Sequence, residues 1–292
     1  MSQITTYQNL GAPKEYYCSS VCITTFLFTF RNLMVVGMKT NKLPKRVRRL
    51  FIRAKEMSKE KRIYYVIFIG IKRILQRSKN SFWYYYYKTF KSSRNFTFQG
   101  ETYSYFYHKY NKTWRNERAV EVPIIWEIVK KHQGKRILEV GNVLSHYFSV
   151  NHDIIDKYEK ADSIINQDVV DFQPSKKYDL IVSISTLEHV GWDEEPRDPT
   201  KILRAVQNLE NLFASETKIV VTLPLGYNTE MDKLLKEGKI HFSEQYCLRR
   251  ISRDNRWIEV NWNDIREAKY GSPFPSANGL VIGIIEKFTS SS

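Results

Sequence analysis

Residues 136–190 constrain the fold most, because apolar stretches alternate there with glycine and acidic turns at the spacing of a nucleotide-binding half-sheet. The segment opens with an apolar stretch at residues 136–140 that leads into Gly141. Further short apolar stretches cover residues 152–156, 163–166 and 180–184. Stretches of this length, rich in β-branched residues, are typical of parallel strands that are covered on both faces. We therefore predict an open α/β sheet that binds its ligand at the carboxyl ends of the strands.

An acidic residue follows the second predicted strand at a spacing with a known chemical meaning. Asp156 lies 17 positions after Glu139, close to the roughly 20 positions expected for the acid that binds ribose in dinucleotide folds. A carboxylate there can accept hydrogen bonds from both ribose hydroxyls. Asp156 is thus the predicted ribose ligand, and Glu159 is the alternative if the strand register shifts.

With these motifs in order, residues 120–226 resemble the class I S-adenosylmethionine-dependent methyltransferases, in the branch with a Glu-His pair after the fourth strand, here Glu188-His189. The resemblance implies S-adenosyl-L-methionine as cofactor, with Asp168 accepting from the adenine amino group and Val169 beside the ring. Two positions depart from the family pattern, because Val143 and Ser145 stand where glycines are common. The predicted cofactor-binding residues are Glu139, Gly141, Asn142, Ser145, Asp156, Asp168, Val169 and Ser185.

The resemblance implies an α/β fold with a doubly wound, mostly parallel seven-stranded sheet of the Rossmann-like methyltransferase type. We place a basic, mainly helical N-terminal extension at residues 1–95 and the methyltransferase-like domain at residues 96–292. Residues 1–90 hold 18 of the 46 basic and 3 of the 31 acidic residues, so the remainder is neutral. Within the domain, a helix is expected to start near His146. Later strands are expected at residues 218–224, 240–242 and 279–285.

The extension has three interpretations. An apolar stretch at residues 18–37 contains Arg31, which disfavours a membrane-spanning helix. A basic amphipathic pattern at residues 45–54 is followed by an apolar run at 63–71 and aromatic residues at 83–87. We expect residues 45–90 either to lie on an anionic membrane surface or to cap the domain as helices. Nucleic-acid binding comes third, since a catalytic face for nucleic acid usually carries a basic surface and this domain is neutral.

The three cysteines, Cys18, Cys22 and Cys247, form neither an even disulfide framework nor a complete metal-ligand set. This composition indicates a reducing compartment. We therefore expect a cytoplasmic protein, with membrane-peripheral attachment as the alternative, and no metal site.

His189 is the predicted catalytic base, because imidazole titrates in the useful range and the residue follows the fourth strand. A structural role in holding its loop is the alternative. Residues 191–198 and 226–228 are expected to form the acceptor side, where Trp192 and Tyr227 could stack on a sugar or aromatic ring. The polar run at residues 114–118 is a candidate for the cofactor entrance, or a helix cap.

These residues predict S-adenosylmethionine-dependent methyl transfer to a small-molecule or glycan-type acceptor. The alternative is a non-catalytic methyltransferase-like interaction protein that its basic tail localises, and the missing glycines motivate it. A nicotinamide dehydrogenase would share the half-sheet and the ribose acid. The glycine losses count more heavily against it, because a pyrophosphate needs the closest approach to the backbone.

Overall fold

The computed structural model describes residues 59–286. The chain divides into two units, with the boundary between Lys79 and Asn80. The amphipathic pattern at residues 45–54 and the apolar stretch at 18–37 lie outside the described residues, and the domain boundary at 95/96 stays a prediction. Among residues 59–286, no helix combines the length and the apolar character that crossing a bilayer requires.

Helix α1, Lys59–Phe90, contains both the apolar run and the aromatic run of the sequence. In the second unit, Tyr84 and Tyr87 are buried against Trp114, with ring centroids 6.1 and 6.5 Å apart from it. Phe82 and Phe90 on the same helix are exposed. The aromatic run therefore packs one of its faces on the domain and presents other side chains to solvent.

A seven-stranded sheet forms the centre of the second unit, preceded by a hairpin of β1, Asn95–Phe98, and β2, Glu101–Ser104. The strands of the sheet are β3, Ile137–Val140; β4, Asp153–Ile155; β5, Tyr178–Ile184; β6, Phe213–Pro224; β7, Glu244–Arg250; β8, Trp257–Val260; and β9, Gly279–Glu286. Their order is β4-β3-β5-β6-β9-β7-β8. The first four are parallel, while β9 runs antiparallel to both β6 and β7. The predicted mostly parallel core, like that of Rossmann-like methyltransferases, is confirmed.

Helices cover both faces of this sheet. The longer ones are α2, Arg118–Lys131, and α3, Lys201–Asn211; α4, Thr229–Lys236, and α5, Trp262–Ile265, are shorter. Buried residues of α3 cluster with Ile181 of β5, whereas those of α2 cluster with its neighbours Leu180 and Val182. Since successive side chains of a strand point to opposite faces, α2 and α3 lie on opposite sides of the sheet. The doubly wound arrangement is confirmed.

The helix expected near His146 does not form. The described residues between β3 and β4 contain only a short 3-10 turn, Leu144–His146. Phe148, which follows this turn, stacks on Trp126 of α2 with ring centroids 4.1 Å apart. This aromatic contact holds the connection against α2 on an irregular path, so the expectation of a helix was wrong.

Two expected strands also differ. At residues 163–166 only Ile165 pairs with β4, as a single bridge to Ile155. The Asn166 side chain donates instead to the carbonyls of Asp156 and Lys157, both at 2.9 Å, which competes with a regular ladder. Residues 240–242 form no strand either, because the Phe242 ring packs directly over Gly283 of β9. Strands β7 and β8 complete the sheet on that side.

Candidate functional site

The carboxyl ends of β3, β4 and β5 border a cavity of about 410 Å³. This edge is where open α/β sheets bind ligands, because the loops that leave parallel strands meet there. The predicted site residues in its wall are Gly141, Asn142, Asp156, Asp168, Val169 and His189. We call this cavity the cleft.

Gly141 makes the first turn of the cleft and cannot be another residue without strain. Its φ is +84°, and a Cβ added to it would lie 2.2 Å from Thr186 Oγ1. Its N–H donates to the Ile155 carbonyl at 2.8 Å, which ties the turn to β4. Glycine is required both for the backbone conformation and for the close packing of Thr186.

Glu139 lies beneath this turn and is fully buried. Its Oε1 accepts from the N–H groups of Val143 and Leu144 at 2.8 and 2.7 Å, and its Oε2 lies 2.8 Å from His152 Nε2. These bonds satisfy both oxygens inside the protein. The structure therefore gives Glu139 a role in shaping the glycine loop, at a place outside the cleft wall.

Asp156, at the end of β4, is held by backbone amides. Its Oδ1 accepts from the N–H groups of Tyr158 and Glu159 at 2.8 Å each, and its Oδ2 accepts from that of Asn142 at 3.2 Å. A carboxylate has about four acceptor positions, so one remains for a further donor. Ser145 donates to the Asn142 side chain but is exposed outside the cleft wall. Asp156 is thus fixed in orientation before any ligand binds.

Asp168 belongs to an ion-pair network that the sequence did not predict. Lys201 Nζ lies 2.6 Å from both Asp168 Oδ2 and Glu194 Oε2, and Lys157 Nζ lies 2.7 Å from the same two atoms. Burial acts to raise the pKa of Asp168, but the hydrogen bonds from the two lysines outweigh it and leave the pKa lowered. The pKa of Glu194 is lowered by the same balance. Two ionised carboxylates and two lysines therefore neutralise each other.

Val169 and the free part of Asp168 complete the far wall of the cleft. Val169 is buried, and Asp168 Oδ1 accepts the Val170 N–H at 3.2 Å, its one partner among residues 59–286. An apolar wall beside an oxygen with a remaining acceptor position suits a flat ring with an exocyclic amino group. The lysines occupy Oδ2, so such a group would have to share this carboxylate with them.

A smaller cavity of about 200 Å³ adjoins the cleft, and His189 lines both. It draws on the loops after β5 and β6 and on the polar run before α2, which the sequence placed near the cofactor entrance. Residues in its wall include Asn116, Glu117, Arg118, Ser185, Tyr227 and Tyr270. We call this cavity the pocket.

Ser185, predicted to bind the cofactor, lies in the wall of the pocket. Its φ is +38°, its N–H donates to Thr222 Oγ1 at 3.0 Å, and its hydroxyl donates to Glu121. Arg118 donates to the Ile184 carbonyl at 2.8 Å and lies 3.2 Å from Glu121 Oε2. These bonds hold the end of β5 against the start of α2.

Glu188 is the least satisfied polar side chain of the pocket. It is 2% exposed, and its Oε2 has no hydrogen-bond partner within the described part of the chain. Its Oε1 lies 3.6 Å from His189 Nε2, too far for a hydrogen bond. Burial raises the pKa of Glu188 well above its ordinary value, and Arg118 opposes this rise only in part.

His189 is oriented by the loop that follows it. Its Nδ1 lies 2.6 Å from Asp193 Oδ2, which also accepts from the Tyr227 hydroxyl at 2.7 Å. The imidazole and the Tyr227 ring meet edge to face with centroids 4.8 Å apart. A carboxylate on Nδ1 fixes the ring and leaves Nε2 as the nitrogen that can exchange a proton. The Arg197 guanidinium lies over the Trp192 ring, 4.2 Å from its centroid.

Three solved structures with a similar fold are distant from this chain in sequence. The N-methyltransferase NodS from Bradyrhizobium japonicum WM9, in complex with S-adenosyl-l-homocysteine, is 12% identical, with 56% of this chain and 84% of that chain covered and a TM-score of 0.35. A SAM-dependent methyltransferase from Archaeoglobus fulgidus is 14% identical over 61% and 98%, with a TM-score of 0.37. The sugar N-methyltransferase KedS8 from Streptoalloteichus sp. is 12% identical over 59% and 89%, with a TM-score of 0.31.

No protein-family model and no curated protein matches the chain. Identities and TM-scores this low carry no functional argument.

Proposed function

We propose that this protein binds S-adenosyl-L-methionine in the cleft and transfers its methyl group to a small-molecule or glycan-type acceptor in the pocket. The observation that carries the proposal is the pair of adjoining cavities that share His189. One has the residues for a nucleoside, and the other lies beside it at the same sheet edge. Methyl transfer needs such a pair, because the donor and the acceptor must be held in line.

The residues of the cleft fit the cofactor. Asp156 has an acceptor position left for the ribose hydroxyls, and Asp168 with Val169 offers an acceptor and an apolar face to adenine. The turn at Gly141 and Asn142 would lie beside the methionine end of the cofactor. The volume of about 410 Å³ falls in the ordinary range of small-molecule sites. When bound, the cofactor supplies an electrophilic methyl group on a sulfonium.

The side chains of the protein supply the rest of the chemistry. The pocket orients the acceptor and excludes water, and an alcohol acceptor additionally requires a base. His189 has the geometry for that role, because Asp193 holds Nδ1 and Nε2 is directed toward Glu188 at 3.6 Å. We assign His189 as the catalytic base for acceptors that must lose a proton.

The test is isothermal titration calorimetry with S-adenosylhomocysteine and, separately, with NAD. The proposal predicts binding of S-adenosylhomocysteine and none of NAD. Binding of NAD alone would indicate a dehydrogenase. Binding of neither would favour the non-catalytic interaction protein, for which the pairing of Asp168 with Lys157 and Lys201 is the supporting observation.

We also propose that the first unit attaches the protein to an anionic membrane surface. In its described part, Phe68, Ile71 and Leu75 are 61, 52 and 64% exposed and recur at helical spacing on α1. An exposed apolar stripe on a helix with a basic surround is typical of interfacial binding, where each nearby Lys or Arg adds about 1 kcal/mol.

This proposal predicts that the full chain sediments with vesicles of phosphatidylserine and phosphatidylcholine but not with phosphatidylcholine alone. Replacing Phe68, Ile71 and Leu75 by Ser should abolish sedimentation. The matched control replaces Ile251 and Ile258, exposed in the second unit, by Ser. Unchanged sedimentation of the triple variant would refute membrane attachment through this stripe.

A further inference from the structure

We infer that the acceptor in the pocket carries a protonated amine, which Glu188 and Glu117 bind. The inference rests on the proposed function and names the class of acceptor. It starts from Glu188, which lines the pocket and whose buried Oε2 has no partner within the described residues. Burying an unpaired carboxylate is costly, so the site is incomplete without a donor from outside the chain.

A second carboxylate faces the same pocket. Glu117 is buried at the start of α2, and its Oε2 accepts the Ala277 N–H at 3.1 Å. Burial raises its pKa, and the neighbouring Glu121 raises it further. The wall therefore has two carboxylates that a positive ligand would stabilise.

The cationic side chains of the wall offset these carboxylates only in part, because Arg118 lowers the pKa of Glu188 and of Glu117 less than burial raises it. Arg118 directs its guanidinium at Glu121 and at the carbonyls of Ile184 and Ser185. His189 has its Nδ1 on Asp193. Negative groups thus exceed the positive groups available to a ligand, which favours a cation and disfavours a phosphate or carboxylate there.

The aromatic rings of the pocket also favour a positively charged ligand. Tyr227 and Tyr270 line it with their rings edge to face, 5.3 Å apart. Burial raises the pKa of Tyr270 to about 12, so its phenol stays neutral. Neutral aromatic faces attract ammonium groups, with about 0.5–2 kcal/mol per contact. A volume of about 200 Å³ limits the amine to a molecule smaller than most drug-sized ligands, such as an amino sugar.

Glu188 can also deprotonate the bound ammonium group. A proton that moves from the ammonium nitrogen to Glu188 leaves a neutral amine with a free lone pair and a neutral carboxylic acid. The neutral acid is the form that a buried apolar surround favours. Glu188 would therefore bind the cation and accept its proton without a change in the total charge of the pocket.

The test uses matched amines and neutral analogues as probes. Calorimetry on the full chain compares D-glucosamine with D-glucose and 2-phenylethylamine with 2-phenylethanol. We expect at least one amine to bind at least tenfold more tightly than its neutral partner. Glu188→Gln keeps the shape of the side chain, and we expect it to weaken amine binding at least tenfold and to leave the neutral analogues unchanged. Glu267→Gln is the control for charge, because Glu267 is 75% exposed on the surface.

Equal affinity within both pairs, or amine binding that Glu188→Gln does not weaken, would overturn the inference. Titration of the same samples with S-adenosylhomocysteine separates this failure from that of the proposed function. Binding of S-adenosylhomocysteine without a preference for amines would reject the acceptor class alone. Its absence would reject the proposed function, whatever the amines do.

Discussion

The cleft and the pocket lie at the same edge of one sheet, yet their carboxylates differ in burial and in the partners that they bind. In the cleft, Asp168 and Glu194 each bond to two lysines, and their pKa values are lowered. In the pocket, Glu188 has an oxygen without a partner in the described chain, and burial raises its pKa. The carboxylates Asp168 and Glu194 of the cleft are paired with lysines, whereas Glu188 of the pocket has no lysine or arginine at hydrogen-bond distance in the described chain.

This difference suggests what each cavity receives. A neutral adenosine needs fixed acceptors and apolar walls, which a balanced network provides without attracting ions. An ammonium needs carboxylate partners in a small volume, and the pocket has Glu188 and Glu117, whose raised pKa values a bound cation would lower again. The four predictions below test the contrast, beginning with the largest expected effect.

Replacing Gly141 by Ala should destabilise the fold by about 3 kcal/mol, because a side chain at φ +84° would also collide with Thr186. Gly134→Ala is the matched control, since Gly134 has φ +83° and open space around it. We expect that control to lose only about 1 kcal/mol. Urea denaturation measures both. Equal losses would show that Thr186 does not close the turn of the cleft.

Asp156→Ala should weaken binding of S-adenosylhomocysteine by about 10- to 100-fold, since it removes a charged acceptor of a ribose hydroxyl. Asp153→Ala is the control, because that side chain lies on the same strand but accepts from the Tyr178 hydroxyl at 2.9 Å. Calorimetry gives the affinities, and circular dichroism checks the fold. If both variants bind like the unmodified protein, Asp156 is not the ribose ligand.

The contributions of Glu188 in the pocket and of Asp168 in the cleft to the free energy of unfolding should depend on pH in opposite directions. The raised pKa of Glu188 means that its stabilising effect is present below its ordinary value and is lost as pH rises through the folded value. The lowered pKa of Asp168 means that its contribution is present above its ordinary value and is lost as pH falls through the folded value.

Glu188→Gln should therefore stabilise the protein by about 1–3 kcal/mol at pH 8 and little at pH 4. Asp168→Asn should destabilise it at pH 7 by a similar amount, and this loss should shrink as pH falls below the ordinary pKa of about 4. Urea denaturation at several pH values measures, for each variant, the slope of the change in unfolding free energy against pH. Parallel slopes for the two variants would contradict the contrast between cleft and pocket.

The smallest effect concerns a neighbour of the pocket. Asp232 of α4 accepts from the Gly226 N–H at 2.9 Å, just before Tyr227, and burial raises its pKa to about 6. The cost of its charge begins above its ordinary pKa and is complete above about 6, so Asp232→Asn should stabilise the protein by about 1 kcal/mol at pH 8 and little below pH 4. A uniform shift of the melting temperature at both pH values would argue against this assignment.

The sequence predicted the cleft better than the pocket, for a physical reason. Gly141 and Asp156 directly follow strands and His189 lies in the short turn after β5, and the position of a residue after a parallel strand determines the edge at which it lies. The lysine partners of Asp168 come from a loop and from α3, far apart in the sequence. Ion pairing over such distances leaves no local pattern to detect.

The sequence also failed to predict the conformation of two loops. The expected helix near His146 and the expected placement of Ser185 in the cofactor site both depended on local spacing. The structure replaces the helix by a 3-10 turn and turns Ser185 into the pocket at φ +38°. Aromatic packing of Phe148 on Trp126 and the hydrogen bond from Ser185 to Glu121 decide these paths. Both are tertiary contacts that no window of sequence contains.

A crystal structure of the protein with S-adenosylhomocysteine and D-glucosamine would test the central claim most directly. Our account predicts adenosine against Asp156 and Val169 and the amino group within hydrogen-bond distance of Glu188. A nucleoside bound elsewhere, or a cleft that the side chains of Lys157 and Lys201 close against it, would contradict the account.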